Sequence, residues 1–321
     1  MQIKIRNLEH IFLAKTPIAF KAINNISLDI NQGEYIGIIG QTGSGKTTFV
    51  EHLNGLLIPT NGSIEWNYLN SRIVKVNHQF KNKKGQIKIK KIKINEKFND
   101  LTILKNNWRK KFPKAKDIRQ RIGVIFQFAE YQLFEETIEK DIMFGPRSFG
   151  VSKEEAKLRA KKYLNLVGLD DTYLKKSPFD LSGGQKRRVA LAGILAMEPD
   201  ILVADEPTAG LDPVGVKEIL SIFKKLHQLG KTIIIVTHDL DNILEETQRT
   251  IIFKNGKIIK DGETYSVLKD TKFLYENDLE PPKILDFTNK LEAKGISIPK
   301  IKSIEELATY LNKILKRNKN G

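Results

Sequence analysis

The chain has 321 residues, 40% hydrophobic and 29% charged, enough for one large domain with an appendage or for two domains. It contains no cysteine, which excludes disulfides and thiolate metal sites. The net charge of +16 points to an anionic partner, nucleic acid or a lipid surface, but much of it is local: bases are dense from Arg72 to Arg121, where Glu96, Asp100 and Asp117 are the only acids.

The start, Met1-Gln2-Ile3-Lys4-Ile5-Arg6-Asn7, has no apolar signal core, and no apolar run is long enough to span a bilayer. A cytoplasmic protein that reaches a membrane only by docking is expected. Residues 1–33 carry strand-type alternation, as in Ile3-Lys4-Ile5 and Ile26-Ser27-Leu28-Asp29-Ile30, and Asn31-Gln32-Gly33 makes a turn. Phe12 in this stretch either stacks on a nucleotide base, with His10 as a second candidate, or packs on the sheet.

Tyr35-Ile36-Gly37-Ile38-Ile39 reads as a short buried strand, and Thr47-Thr48-Phe49-Val50-Glu51-His52-Leu53 as a helix. Between them stands Gly40-Gln41-Thr42-Gly43-Ser44-Gly45-Lys46-Thr47, a full match to G-x-x-x-x-G-K-[ST] in the strand-to-helix context that the motif requires. Its glycines let backbone N–H groups point at phosphate oxygens, and the helix N-terminus adds positive charge. Lys46 is expected to reach the β- and γ-phosphates, and the Thr47 hydroxyl to bind Mg²⁺.

Pro59-Thr60-Asn61-Gly62-Ser63 is a turn, and Ile64-Glu65-Trp66 starts a strand. Residues 70–117 then form a lysine-rich insertion with few signs of a core. Near-alternation over Gln86-Ile87-Lys88-Ile89-Lys90-Lys91-Ile92-Lys93-Ile94 permits a hairpin edge with one apolar face, while low complexity and like charge permit disorder. The insertion is either a basic patch for phospholipid or nucleic acid, or a solvated excursion.

Order returns at Ile118. Gly123-Val124-Ile125-Phe126 reads as a buried strand ending at Gln127, and a helical region spans about 137–178, with Ser152-Lys153-Glu154-Glu155 as a helix start. Ile201-Leu202-Val203-Ala204 ends at Asp205-Glu206, and Thr232-Ile233-Ile234-Ile235-Val236 ends at Thr237-His238. Apolar strands running into polar residues, with helices between, predict an open parallel α/β sheet whose ligands sit at the strand ends, so all four chemical motifs are expected along one edge. After Gly262 the core pattern is over. Glu280-Pro281-Pro282-Lys283 marks a boundary, and two short helices are expected near 285–294 and 304–316, with a frayed end.

Hydrolysis of a phosphoanhydride needs a phosphate cradle with Mg²⁺, a positioned water and extra positive charge. Asp205 can hold the Mg²⁺ shell, and Glu206 is the natural group to polarise the water. Gln127 can contact Mg²⁺ or the water, and His238 can bond the γ-phosphate. Leu181-Ser182-Gly183-Gly184-Gln185 opens a further helix as a second anion site. With one nucleotide loop per chain, its use would be to close over the nucleotide of a facing subunit, two ATP molecules lying between two subunits.

Residues 40–47, Gln127, residues 181–185, residues 201–206, Ala209-Gly210-Leu211-Asp212 and His238 resemble, in order, the Walker A, Q-loop, signature, Walker B, D-loop and switch-histidine motifs of ABC-transporter ATPases. Phe126-Gln127-Phe128-Ala129-Glu130-Tyr131-Gln132-Leu133-Phe134-Glu135-Glu136-Thr137, Phe144-Gly145-Pro146-Arg147 and Lys186-Arg187-Arg188-Val189-Ala190 are similar to the energy-coupling factor branch, most like the second of its paired A components.

The resemblance implies a P-loop NTPase fold of ABC type: a parallel core sheet, an antiparallel β subdomain, an α-helical subdomain and a helical C-terminal extension. The implied limits are 1–265 for the ATPase domain, with helices at about 128–180, and 266–321 for an extension that holds two ATPases together. It implies an ATPase with ATP and Mg²⁺ as ligands, at the cytoplasmic face of the membrane. Residues 40–47 with Thr48, Phe12 and residues 182–185 would bind nucleotide; Thr47, Gln127 and Asp205 would face Mg²⁺; Lys46, Gln127, Glu206 and His238 would be catalytic. Implied partners are a homologous ATPase, a transmembrane T component and substrate-binding S components, with a vitamin or metal ion as cargo. Gln127 to Phe134 would form a groove for a helix of the T component, or else the core of the helical subdomain.

A soluble ABC ATPase acting on nucleic acid or ribosomes is the alternative that the charge encourages. Translation-type members carry two cassettes, and DNA-repair members a coiled coil or zinc module; this chain has one phosphate loop, no cysteine and no long heptad run, so nucleic acid is not the expected partner.

Overall fold

The computed structural model describes residues 1–81, 87–106, 112 and 114–319. The chain opens with strands β1 (Gln2–Phe12), β2 (Phe20–Ile30) and β3 (Tyr35–Gly40) and helix α1 (Lys46–Leu53). Two long strands follow, β4 (Asn61–Lys81) and β5 (Ile87–Lys105), then α2 (Ala115–Arg121) and β6 (Ile122–Ile125). The helices α3 (Ile138–Ser148), α4 (Lys153–Leu166) and α5 (Gly183–Leu195) lead to β7 (Ile201–Asp205). Next come α6 (Pro213–Gln228), β8 (Thr232–Val236), α7 (Leu240–Glu246), β9 (Arg249–Lys254) and β10 (Lys257–Glu263). The chain ends in α8 (Thr264–Lys269), α9 (Thr271–Glu276), α10 (Lys283–Glu292) and α11 (Ile304–Lys319).

The strands form two sheets. One is antiparallel, in the order β2-β1-β4-β5; the other runs β10-β9-β3-β8-β7-β6 and is parallel from β9 to β6. Every residue of β3, β6, β7 and β8 is buried, the continuous apolar pattern of a parallel sheet covered on both faces. Alternation along β3 splits its side chains between two cores. Ile36 and Ile38 join Ile3, Ile5, Phe49 and Trp66 between the sheets, whereas Tyr35 and Ile39 join the helices on the other side. Gly37 is small because a Cβ there would lie 2.7 Å from a methyl of Ile243.

Three expectations change. First, of the two alternatives for the insertion the hairpin is the one that forms, with more of a core than expected: Asn67 to Lys81 pair with Leu101 to Ile87 in continuous antiparallel register, Thr102 and Leu104 within it are buried, and so are Tyr68 and Ile118 at its borders. Trp66 stacks on Phe112 at 5.6 Å. The alternating stretch is thus a strand, although Gln86 and the side chains that would form its apolar face lie outside the described residues. Second, the core does not stop at Gly262: Leu268, Leu274, Leu285, Ile301 and Leu307 are buried in the same cluster as β7 and β8. The helices 264–269 and 271–276 are too short for sequence periodicity to reveal. Third, the last helix reaches Lys319.

Candidate functional site

The phosphate loop is shaped by its glycines. Gly45, the N-cap of α1, has φ +102°, and a Cβ on it would sit 2.6 Å from the Ala22 carbonyl oxygen. A Cβ on Gly40 would lie 2.3 Å from the Phe253 carbonyl oxygen. The turn closes through Ser44 N–H to the Gln41 carbonyl at 3.1 Å and Gly256 N–H to the Ser44 carbonyl at 2.9 Å. Lys46 Nζ donates to the carbonyls of Gly40 and Gln41 at 2.7 and 2.8 Å. Burial pulls its pKa down, against the opposing pull of Glu206 and Asp205.

The C-terminal ends of the parallel strands bring the acids to this loop. The Thr47 hydroxyl donates to Asp205 Oδ2 at 2.8 Å, joining residues 158 apart in sequence. Burial raises the Asp205 pKa, the Thr47 bond opposes it, and the Glu206 charge adds to the rise. Glu206 has φ +48°, a left-handed conformation uncommon for a residue other than glycine. Its carboxylate accepts from the Thr237 hydroxyl at 2.9 Å, from His238 N–H at 3.1 Å and from His238 Nδ1 at 2.8 Å. The imidazole remains exposed while Glu206 is 16% exposed.

Thr42, Gly43, Gly45, Lys46, Thr47, Thr48, Gln127, Asp205, Glu206 and His238 line one cleft of about 360 Å³. Its donor set is oxygen-rich, a hydroxyl meeting a carboxylate with an amide alongside, which suits a hard divalent cation such as Mg²⁺. Phe12 does not line it. The register places Phe12 opposite Phe20, and it is Phe20, 59% exposed on β2, that borders the cleft beside Ala22. Phe12 instead packs edge-on against His10 at 4.5 Å. Which of two such paired residues reaches the cleft depends on how the strands pair and pack, which a linear motif does not encode.

The signature stretch is elsewhere. Ser182 caps α5 in a capping box, its hydroxyl accepting from Gln185 N–H at 3.4 Å while Gln185 Oε1 accepts from Ser182 N–H at 3.0 Å. Ser182, Gly183, Gly184 and Gln185 line a separate cavity of about 510 Å³ with Gly210, Leu211 and Asp212. The four strand-end motifs, the phosphate loop, Gln127, Asp205-Glu206 and His238, thus share one cleft as expected, and the signature stretch lies apart from it.

A third cavity, about 370 Å³, lies between β6, α3 and α5 and is lined by Ala129, Leu133, Phe134, Phe144, Phe149 and Ile194, among others. Residues 127–134 divide between the core and the rim of this groove. Ala129 and Leu133 are buried in the core, whereas Phe134 is exposed at the rim and meets Phe144 edge-on at 4.9 Å. Three further residues stand in stretches that the sequence singles out but received no role there: Thr237, which holds Glu206, and the buried pair Glu130 and Arg187, whose contact joins residues 57 apart.

The ABC transporter family profile matches residues 23–82 and 71–209. An energy-coupling factor transporter ATP-binding protein EcfA2 of Mycoplasmopsis pulmonis is 59% identical over 99% of this chain and 98% of its own length. One from Clostridium perfringens is 43% identical over 99% of this chain and all of its own. Among solved structures, cbiO1 from Clostridium perfringens, part of the ABC transporter complex cbiONQ, superimposes with a TM-score of 0.63 at 29% identity, covering 89% of this chain and 98% of its own. A dimeric ATP-binding cassette in a post-hydrolysis state with ADP and Pi gives 0.62 at 27% identity, over 82% and 98%.

Proposed function

The chain belongs to the ABC transporter family, in its energy-coupling factor branch, and from that premise we infer how its residues divide the work of an ATP-driven importer. It is an ATPase, the ATP-binding subunit of such a transporter. We assign the cleft over Gly40 to Thr48 to Mg²⁺-ATP. The loop N–H groups and Lys46 bind the phosphates, and Phe20, in place of Phe12, borders the site where a base can stack. Thr47, Asp205 and Gln127 hold Mg²⁺, which supplies charge neutralisation on the phosphate oxygens when bound.

Glu206 polarises the attacking water. His238, tied to it at 2.8 Å, keeps the carboxylate oriented, and as the doubly protonated ring it also donates from Nε2 to the γ-phosphate. The observation that carries this reading is the convergence of Lys46, the Thr47–Asp205 bond and the Glu206–His238 pair on one cleft. Ser182 to Gln185 face away from it, which suits a surface that completes the cleft of a second, homologous ATPase; a solved relative of this fold is a dimer with ADP and Pi.

The groove between β6, α3 and α5 receives a helix of a transmembrane T component, and S components choose a vitamin or metal ion as cargo. Residues 1–265 form the cassette and 266–321 the extension that holds two ATPases together. Among the described residues no helix is long and apolar enough to cross a membrane. These partners hold the chain at the cytoplasmic face. Affinity purification of the tagged chain from detergent-solubilised membranes tests the assembly. A second ABC ATPase and a T-type membrane protein are expected; recovery of ribosomes or DNA that survives nuclease and moderate salt would overturn it.

A further inference from the structure

Residues 70–116 hold sixteen Lys and Arg and two acids, fourteen of the sixteen net positive charges of the chain. The cassette itself is nearly neutral, so this charge has a separate purpose. Much of it is carried by the β4–β5 ribbon, whose root is anchored and whose described lysines are exposed. At the root Tyr68 is buried, Arg121 lies over its ring at 4.5 Å, and Asp100 accepts from Lys114 Nζ at 2.6 Å. Further out Lys75, Asn77, His78, Lys90, Lys91 and Lys97 are all exposed. β5 is the edge of its sheet.

Strand register sorts these residues. Asn67 pairs with Leu101, Leu69 with Asn99, Ser71 with Lys97, Lys75 with Lys93 and Asn77 with Lys91. Odd-numbered positions share the outer face. That face therefore combines a root of exposed aliphatics, Leu69 62%, Leu101 56% and Ile103 45%, with a run of lysines beyond it. At these exposures the described chain leaves all three aliphatic side chains open to solvent. Beyond β5, Lys116 reaches the groove described above, its Nζ 5.9 Å from the Phe149 ring centroid.

We propose that the outer face of the β4–β5 ribbon binds the anionic phospholipid surface of the membrane that carries the transporter, with Leu69, Leu101 and Ile103 entering the headgroup layer and Lys75, Lys91 and Lys97 on the phosphates. Aliphatic residues flanked by lysines on one face are the composition of an interfacial element. A surface for single-stranded nucleic acid would use aromatic rings to stack bases, and the exposed outer positions of the described ribbon are aliphatic, amide, serine or lysine. The proposal relies on the transporter reading only for the source of the lipid.

The test is co-sedimentation of the full-length protein with vesicles of phosphatidylglycerol and phosphatidylcholine against phosphatidylcholine alone. Binding to the anionic vesicles only is expected, weakening as salt is raised. Each lysine at such a surface is worth about fivefold in partition, so the triple variant Lys75→Gln, Lys91→Gln, Lys97→Gln should bind roughly a hundredfold more weakly. The matching Lys→Arg triple should bind like the parent. Leu69→Gln with Leu101→Gln should weaken binding without changing its salt dependence. Binding of fluorescent ATP, read in parallel, reports the cleft separately and should be equal in all variants. Equal sedimentation of the Gln triple and the parent overturns the proposal. So does preference for an RNA oligonucleotide over vesicles, or self-association of the ribbon edge that persists without lipid.

Discussion

Arg187 on the signature helix grips Glu130 in the turn after Gln127 with two hydrogen bonds, Nε to Oε2 at 3.0 Å and Nη2 to Oε1 at 2.7 Å. Its remaining nitrogen, Nη1, donates to the carbonyls of Pro207 and Ala209 at 3.2 and 2.6 Å. One guanidinium thus joins three segments: the loop beside the groove, the helix behind the signature, and the chain that leaves Glu206. Burial alone would raise the Glu130 pKa; the bonds to Arg187 and to backbone outweigh it and hold it below the usual range. The side chains are 6% and 12% exposed, so solvent does little to screen the pair.

Removing one member leaves a buried charge without its partner. Arg187→Ala should destabilise the chain by roughly 3–5 kcal/mol, and Arg187→Lys should recover little because an ammonium cannot make the bidentate contact. Urea titration checks the first part. The second readout is coupling: in the assembled transporter Arg187→Lys should lose transport by a larger factor than ATP hydrolysis. Equal losses would reduce Arg187 to a stabilising residue.

Glu206→Gln should keep the bond from Thr237 and the affinity for ATP while turnover falls about 10²–10⁴-fold, the range for a lost general base. ATP should then hold the dimer closed, visible as a nucleotide-dependent dimer in size-exclusion chromatography. Near-parental hydrolysis, assayed with the partner ATPase, removes Glu206 from the role of base.

Two glycines of the phosphate loop should respond differently to the same methyl. Gly45 and Gly43 both have positive φ, +102° and +78°, but only at Gly45 does the added Cβ meet a backbone oxygen, at 2.6 Å. Gly43→Ala should cost only backbone strain, about 1 kcal/mol, while Gly45→Ala should also displace the loop from Ala22. ATP affinity measured by calorimetry should fall at least about tenfold further for Gly45→Ala than for Gly43→Ala. The reverse order would mean that the loop is not seated on Ala22.

His52 and His10 form a buried pair, Nε2 to Nδ1 at 3.1 Å, with His52 Nδ1 bonded to the Thr48 carbonyl at 2.7 Å. Burial pushes the His52 pKa down to about 4, and burial lowers that of His10 as well. The unfolded chain takes up protons near the ordinary value of 6.5 that the folded chain refuses until about 4. Stability is therefore full above the ordinary value and is lost as pH falls through this window, by roughly 3 kcal/mol for His52. Thermal melts from neutral to mildly acidic pH should show this slope in the parent and a flatter one in His52→Asn; parallel slopes would assign the acid sensitivity to other groups.

The local devices were legible in the chain itself. The glycine loop, the strand before it and the helix after it are contiguous, and short-range sterics and hydrogen bonding define them. The apolar runs ending at Asp205 and at His238 reveal buried parallel strands for the same reason, and the capping residues Ser152 and Ser182 act within one turn. The resemblance added the roles of these motifs. What only the tertiary structure decided are relationships between distant segments. The packing of the β1–β2 hairpin against the phosphate loop puts Phe20, and not its register partner Phe12, at the cleft. The sheet joins Thr47 to Asp205, and the packing of α5 brings Arg187 to Glu130. The folding back of the last helices buries Leu285 and Ile301 in the main core, and the pairing of β4 with β5 turns a lysine-rich stretch into a two-faced ribbon. Each depends on which surfaces exclude water together, and that is a property of the whole packed chain that no short stretch carries.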